Sequence, residues 1–150
     1  MAFAVGTSFK SYTELQQTID EYSSLNNVTI IKQDSKTVAT YQKRVPDRTI
    51  NSELVYGSIK YGCVHSGSYR CKETTTGARP KQRTEKKDCP FNLNIKCSID
   101  GNSLVVSKFS SEHNHILDEP SYRAHQILVH SLNSAKILWA RILVHSRVHY

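Results

Sequence analysis

Two cysteines and two histidines carry most of the chemistry this sequence can offer: Cys63, Cys89, His113 and His115. Thiolate and neutral imidazole are zinc donors, at ~2.3 Å for sulfur and ~2.0–2.1 Å for nitrogen. Cys63 ends a β-like segment, Cys89-Pro90 opens the next, and His113-Asn114-His115 follows the return strand. In an extended chain, residues two apart point to the same side, so a His-x-His pair can aim both rings at one point. A hairpin over Pro90–Phe109 brings its two ends, Cys89 and His113, together. Four protein donors leave no position for a catalytic water, so one zinc ion here is structural.

The remaining sulfur and imidazole groups read more plainly. Cys97 has the apolar parity of its strand, as a buried thiol does. Cys71, between Arg70 and Lys72, is an alternative ligand to Cys63. His65 lies two residues after Cys63, as a surface histidine or a competing donor. The tail histidines His125, His130, His145 and His149 have no cysteine or carboxylate pattern around them.

These donors need a frame, and the pattern predicts one. Ser11-Tyr-Thr-Glu14 has the form of a capping box, and Leu15, Ile19 and Tyr22 follow at helical spacing. A helix over about Tyr12 to Leu25 is expected, stopped at Asn26-Asn27. Short β-rich runs come next: Val28–Lys32, Thr37–Lys43 and Glu53–Val64. Phe91, Leu93, Ile95 and Cys97 alternate with polar residues, the cleanest period-two run in the chain. Asp100-Gly101 marks a hairpin turn and Leu104–Phe109 returns as its partner. The expected fold is α+β, an N-terminal helix on a four- to five-stranded antiparallel sheet with one structural zinc site. Beyond Pro120 the segment Ile-Leu-Val-His-Ser occurs at 127–131 and again at 142–146, too few copies for a solenoid. The expected division is therefore 8–119 as the zinc-dependent domain and 120–150 as a basic, helical or weakly ordered extension.

Charge narrows the class of partner. The chain has 150 residues and a formal net charge of +7, with 38% hydrophobic and 22% charged residues, enough for a modest core. All 13 acidic residues lie at or before Glu119, and the tail after it holds Arg123, Lys136, Arg141 and Arg147. Within the body, Arg70, Lys72, Arg79, Lys81, Arg83, Lys86 and Lys87 face only Glu73 and Glu85 over one loop. Focused basicity of this kind attracts an anionic polymer. Tyr41, Lys43, Arg44 and Lys60, read as strand residues, are candidates for contacts to base edges. No apolar run approaches the ~18–20 residues of a membrane span. The start has no basic leader followed by a long apolar stretch, which leads to the expectation of an intracellular protein.

Several motifs resemble a known family. Tyr61-Gly-Cys63, Asp88-Cys89-Pro90, the 23 residues between Cys89 and His113, and His113-Asn-His115 are similar to the zinc core of the WRKY–GCM superfamily. Within it the likeness is to the far-red-impaired-response type of DNA-binding domain, found at the N-terminus of Mutator-like transposases and proteins derived from them. Glu112-His-Asn-His-Ile-Leu and Asp20-Glu21-Tyr22 fit that pattern. Gly6-Thr-Ser-Phe-Lys-Ser-Tyr is also similar to the N-terminal domain of animal SWIM-type zinc-finger proteins of the same lineage. The resemblance covers about Ser8 to Leu117. It implies zinc ligation by Cys63, Cys89, His113 and His115, binding to duplex DNA and a nuclear location. Two departures stand out: 25 residues separate the cysteines where plant WRKY domains have only a few, and the WRKY signature strand is absent, with Tyr41-Gln42-Lys43-Arg44 a loose counterpart.

Catalysis is not expected. There is no nucleophile elbow, P-loop or dinucleotide fingerprint. The acidic triad of transposases belongs to a separate downstream domain, and only Asp118 and Glu119 supply acids after His115. The expected function is a zinc-stabilised DNA-binding module, transposon-derived or regulatory. The alternative is a zinc-supported interaction module whose basic loop meets acidic protein partners.

Overall fold

A short polar stretch starts the helix that covers the sheet. Ser11 is extended (φ −142°, ψ 160°), and its hydroxyl accepts the Glu14 amide at 3.1 Å. The Glu14 carboxylate accepts the Lys10 amide at 2.8 Å, one residue earlier than in the reciprocal box. These bonds open α1 (Tyr12–Asn26), whose buried stripe is Leu15, Ile19 and Tyr22. Asn27 ends it in the left-handed conformation (φ 52°), and the Val28 amide donates to the Ser23 carbonyl at 3.0 Å.

The computed structural model describes residues 3–68 and 85–127. Two compact units divide after Ile116. The first holds a five-stranded antiparallel sheet of β1 (Ser8–Phe9), β2 (Ile30–Thr37), β3 (Tyr56–Cys63), β4 (Asn92–Cys97) and β5 (Leu104–Ser110). The strand order is β1-β5-β4-β3-β2. In the second unit, residues 119–127 are helical, with the Asp118 carboxylate accepting the Ser121 amide at 3.3 Å. The basic loop from 69 to 84 and the tail from 128 lie outside the described residues. So do the second copy of the tail repeat and Cys71, His130, His145 and His149.

Two expectations about strands need correction. Thr37–Lys43 is not a strand: Thr37 caps a short helix, α2 (Val38–Gln42), by accepting the Thr40 amide at 3.4 Å. The β-branched sequence loses to tertiary packing, since Tyr41 sits where a side chain on Gly57 would otherwise go. The fifth strand is instead Ser8–Phe9, which pairs with Val105 and Leu104 of β5. The first strand also starts later and runs longer than Val28–Lys32, reaching Thr37.

Pairing register assigns the two faces. Ile59 lies opposite Ile95, and Tyr61 opposite Leu93, on the face covered by α1. Leu93, Ile95 and Leu104 are fully buried, each stabilising the fold by ~1.5–3 kcal/mol relative to exposure. Ser107 is an extra residue in β5, so Val106 and Phe109, three apart, pair with Ile95 and Leu93 on the same face. Tyr22 of α1 bridges Phe3 (5.3 Å between centroids), Phe91 (6.2 Å) and Phe109 (6.1 Å). The Lys32 ammonium donates to the hydroxyls of Tyr12 (2.9 Å) and Tyr56 (3.2 Å), tying α1 to β2 and β3. At the far end, the turn before β5 is set by Gly101 (φ 74°), whose carbonyl accepts the Asn51 amide at 2.9 Å.

Candidate metal centre

Antiparallel order decides where the donors meet. β3 ends, β4 begins and β5 ends at the same end of the sheet, because neighbouring strands run in opposite directions. Gly62 pairs with Asn92 and Asn92 with Ser110, so the chain just beyond each of these residues emerges at one place. Cys63 is the last residue of β3, Cys89 precedes β4, and His113 and His115 follow β5.

The four side chains converge there. Their donor atoms all lie within 4.8 Å of one another, with both cysteines buried and both histidines partly buried. Cys63 Sγ is 3.2 Å from His115 Nε2, Cys89 Sγ is 3.3 Å from His113 Nδ1, and the two ring nitrogens are 3.3 Å apart. A tetrahedron with zinc–sulfur and zinc–nitrogen bonds of the usual lengths has edges of about 3.6 Å between S and N and about 3.3 Å between N and N. The donor set and its edges fit one zinc ion. Cys63, Cys89 and Cys97 are free thiols.

The surroundings orient the donors. His115 Nδ1–H donates to the Ile116 carbonyl at 3.2 Å, which leaves Nε2 as the donor to a metal. His113 stacks on Phe91 with centroids 4.9 Å apart and planes at 19°, so the aromatic core under α1 holds this ring. Asn114, between the two histidines, donates its amide to the carbonyls of Lys87 (2.7 Å) and Asp88 (3.3 Å). The amides of Lys87 (2.9 Å) and Cys89 (3.2 Å) both donate to the His65 carbonyl, a pair of hydrogen bonds accommodated by the left-handed Asp88 (φ 56°). His65 itself is a neighbour rather than a member of the donor set. Its ring meets that of His115 at 4.3 Å, and its Nδ1 bonds the Glu85 carbonyl at 2.7 Å.

Electrostatics complete the picture. Burial pushes the Cys63 thiol up to about 11, with Cys89 adding to the rise and amide bonds from His65 and Val64 opposing it. Burial, then the neighbouring rings His115 and His65, hold His113 below the usual imidazole range. Burial also lowers His115, against the bond to Ile116. Both rings are thus neutral donors at pH 7. A pair of buried thiolates is costly alone, and a divalent cation supplies the missing positive charge.

The residues expected at a nucleic-acid surface are spread over several elements. Tyr41 is on α2 and packs against Gly57, while Lys43 and Arg44 follow that helix in an exposed turn; none is a strand residue. Lys60 is exposed on β3. Lys86 and Lys87 are exposed beside the donor cluster. Arg70, Lys72, Arg79, Lys81 and Arg83 lie outside the described residues. Cys97 is buried at the end of β4 away from the cluster, as its parity predicts. Lys36, Lys96 and Lys108 were missed. They join Lys60 on the sheet face opposite α1; Lys96, between buried Ile95 and Cys97, was legible from alternation, whereas the strand of Lys36 has no buried residue and the irregularity at Ser107 breaks the alternation at Lys108.

The family model for zinc finger SWIM domain-containing protein 3, N-terminal, matches residues 3–115, which include all four donors. The likeness to SWIM-type proteins read from Gly6 to Tyr12 is borne out. No curated protein and no solved structure matches the chain.

Proposed function

The chain belongs to the family of the N-terminal domain of zinc finger SWIM domain-containing protein 3, and from this premise we propose that it is a zinc-stabilised DNA-binding module without catalysis of its own. The observation that carries the reading is the cluster of Cys63, Cys89, His113 and His115 at the shared strand ends. Zinc supplies there a structural cross-link between β3, β4 and β5. The cluster also anchors both ends of the lysine- and arginine-rich loop, since Cys63 precedes that loop and Cys89 follows it. Cations held against a rigid frame neutralise phosphates with less loss of freedom than cations on a loose chain. The resemblance to WRKY–GCM domains of the far-red-impaired-response type supports the same reading, with a transposon-derived or regulatory origin and a nuclear location.

The test is fluorescence anisotropy of a labelled duplex against the zinc-loaded chain as salt rises from 50 to 200 mM. Five phosphate contacts give a slope of about −4.5 in log K against log salt, at ~0.9 per phosphate. A chain with no salt-sensitive affinity for any duplex has some other role. If instead an acidic peptide binds and DNA does not displace it, the basic loop serves protein partners.

A further inference from the structure

We propose that the open face of the sheet, through Lys36, Lys60, Lys96 and Lys108, is the surface on which a duplex DNA backbone lies. This inference rests on the DNA-binding reading above and names a surface other than the basic loop.

Register brings these residues together. Lys60 of β3 pairs with Asn94 of β4, which pairs with Lys108 of β5; Ser58, one row along, pairs with both Lys36 and Lys96. Strands lie ~4.8 Å apart, so the two lysines of each row stand about 10 Å apart, and the rows follow one another at about 7 Å. The four ammonium groups therefore occupy one patch across four strands. Among the described residues, none of them is in an ion pair; the one ion pair described is between Arg123 and Glu119. Asp34 is the register partner of Lys60 and the single carboxylate of the patch, and no ion pair joins them.

The helix on the other side of the unit is acidic. α1 carries Glu14, Asp20 and Glu21, all exposed, and no basic residue. With acids on the helix side and lysines on the sheet side, the unit has a polarity that turns an incoming polyanion toward the sheet. A shallow groove of about 190 Å³ runs through the patch, lined by Asp34, Ser58, Lys60, Asn94 and Lys96 together with Ile59 and Ile95. Lysine is a point-charge binder of phosphate, and the groove's two lysines stand on either side of Ser58 and Asn94. A solvated sheet face kept merely soluble would mix both signs.

The experiment compares two charge-matched quadruple variants of the full chain on one labelled duplex. The first changes Lys36, Lys60, Lys96 and Lys108 to Gln; the second changes Arg79, Arg83, Lys86 and Lys87 to Gln. Equal zinc content and far-ultraviolet dichroism check that both fold. The sheet variant should lose about 3–4 from the salt slope, at ~0.9 per phosphate, so its affinity drop between 50 and 200 mM salt shrinks by about 100-fold. Arginine at the same four sites should keep the slope. A sheet variant with the parent slope, beside a loop variant that has lost it, overturns this assignment and leaves the DNA-binding reading standing. A parent chain with no salt-dependent affinity overturns both.

Discussion

Replacing Cys89 by Ser tests the metal centre most directly. The change removes one donor at nearly constant volume, at a site where Sγ stands 3.3 Å from His113 Nδ1. Structural zinc in small fingers contributes ~10–16 kcal/mol of apparent binding energy, so one donor of four accounts for about 3–4 kcal/mol. At 1.4 kcal/mol per decade that is a weakening of zinc binding by about 10²–10³-fold. Folding and binding are linked, because the unfolded chain does not hold the four donors together. Zinc-saturated Cys89→Ser should therefore melt about 10–15 °C below the parent. The assays are competition with a chromophoric chelator, metal content by mass spectrometry, and a thermal melt. Cobalt(II) provides a spectroscopic check, since a tetrahedral thiolate–imidazole site absorbs in the visible. Cys71→Ser is the control and should change metal content little. Parent-like zinc affinity in Cys89→Ser, or an equal loss in Cys71→Ser, would falsify the donor assignment.

Three further changes probe the frame around the donors. Asn114→Ala deletes the amide that holds the carbonyls of Lys87 and Asp88; zinc affinity should fall about tenfold, as for other groups that orient ligands, while metal content at saturation stays at one per chain. Gly101→Ala forces a Cβ into a left-handed residue and against the Thr49 carbonyl; denaturant unfolding should show a loss of about 2 kcal/mol or more, and a parent midpoint would refute the turn. Burial raises the phenols of Tyr22 and Tyr61 above their ordinary 10.0. The unfolded chain then loses those protons first, so stability is intact below pH 10 and declines above it. Tyr61→Phe should flatten that alkaline decline, as read from unfolding midpoints between pH 8 and 11.

Much of the frame was legible because its signals are local. The Ser11 cap acts on an amide three residues away, and the turn at Asp100-Gly101 is written in two residues. The metal donors were legible for a related reason: thiols and imidazoles are scarce, and one hairpin is enough to bring Cys89 back to His113. What escaped the sequence depends on contacts between distant segments. A two-residue strand at Ser8–Phe9 has no period to detect and exists because β5 offers an edge. The helix at Val38–Gln42 has a strand-like composition and is fixed by Thr37 and by the bare backbone at Gly57, about fifteen residues beyond its end.

The bulge at Ser107 shows how such a hidden feature shapes the surface as well as the core. In strict alternation, Val106 and Lys108 would share a face, so a strand that buried Val106 would bury Lys108 and expose Phe109. The inserted residue shifts the parity, so Phe109 reaches the aromatic cluster under α1 while Lys108 turns outward beside Asn94. The Ser107 hydroxyl donates to the Asn94 carbonyl at 3.1 Å and closes the irregularity. One extra residue thus joins two demands on β5: an aromatic wall close to Phe91, which in turn stacks on the donor His113, and a fourth cation on the open face. Regular pairing with Ser107 kept in the ladder would turn Lys108 inward and Phe109 outward, whereas deleting Ser107 would leave Val106, Lys108 and Phe109 in plain alternation on the faces they now occupy.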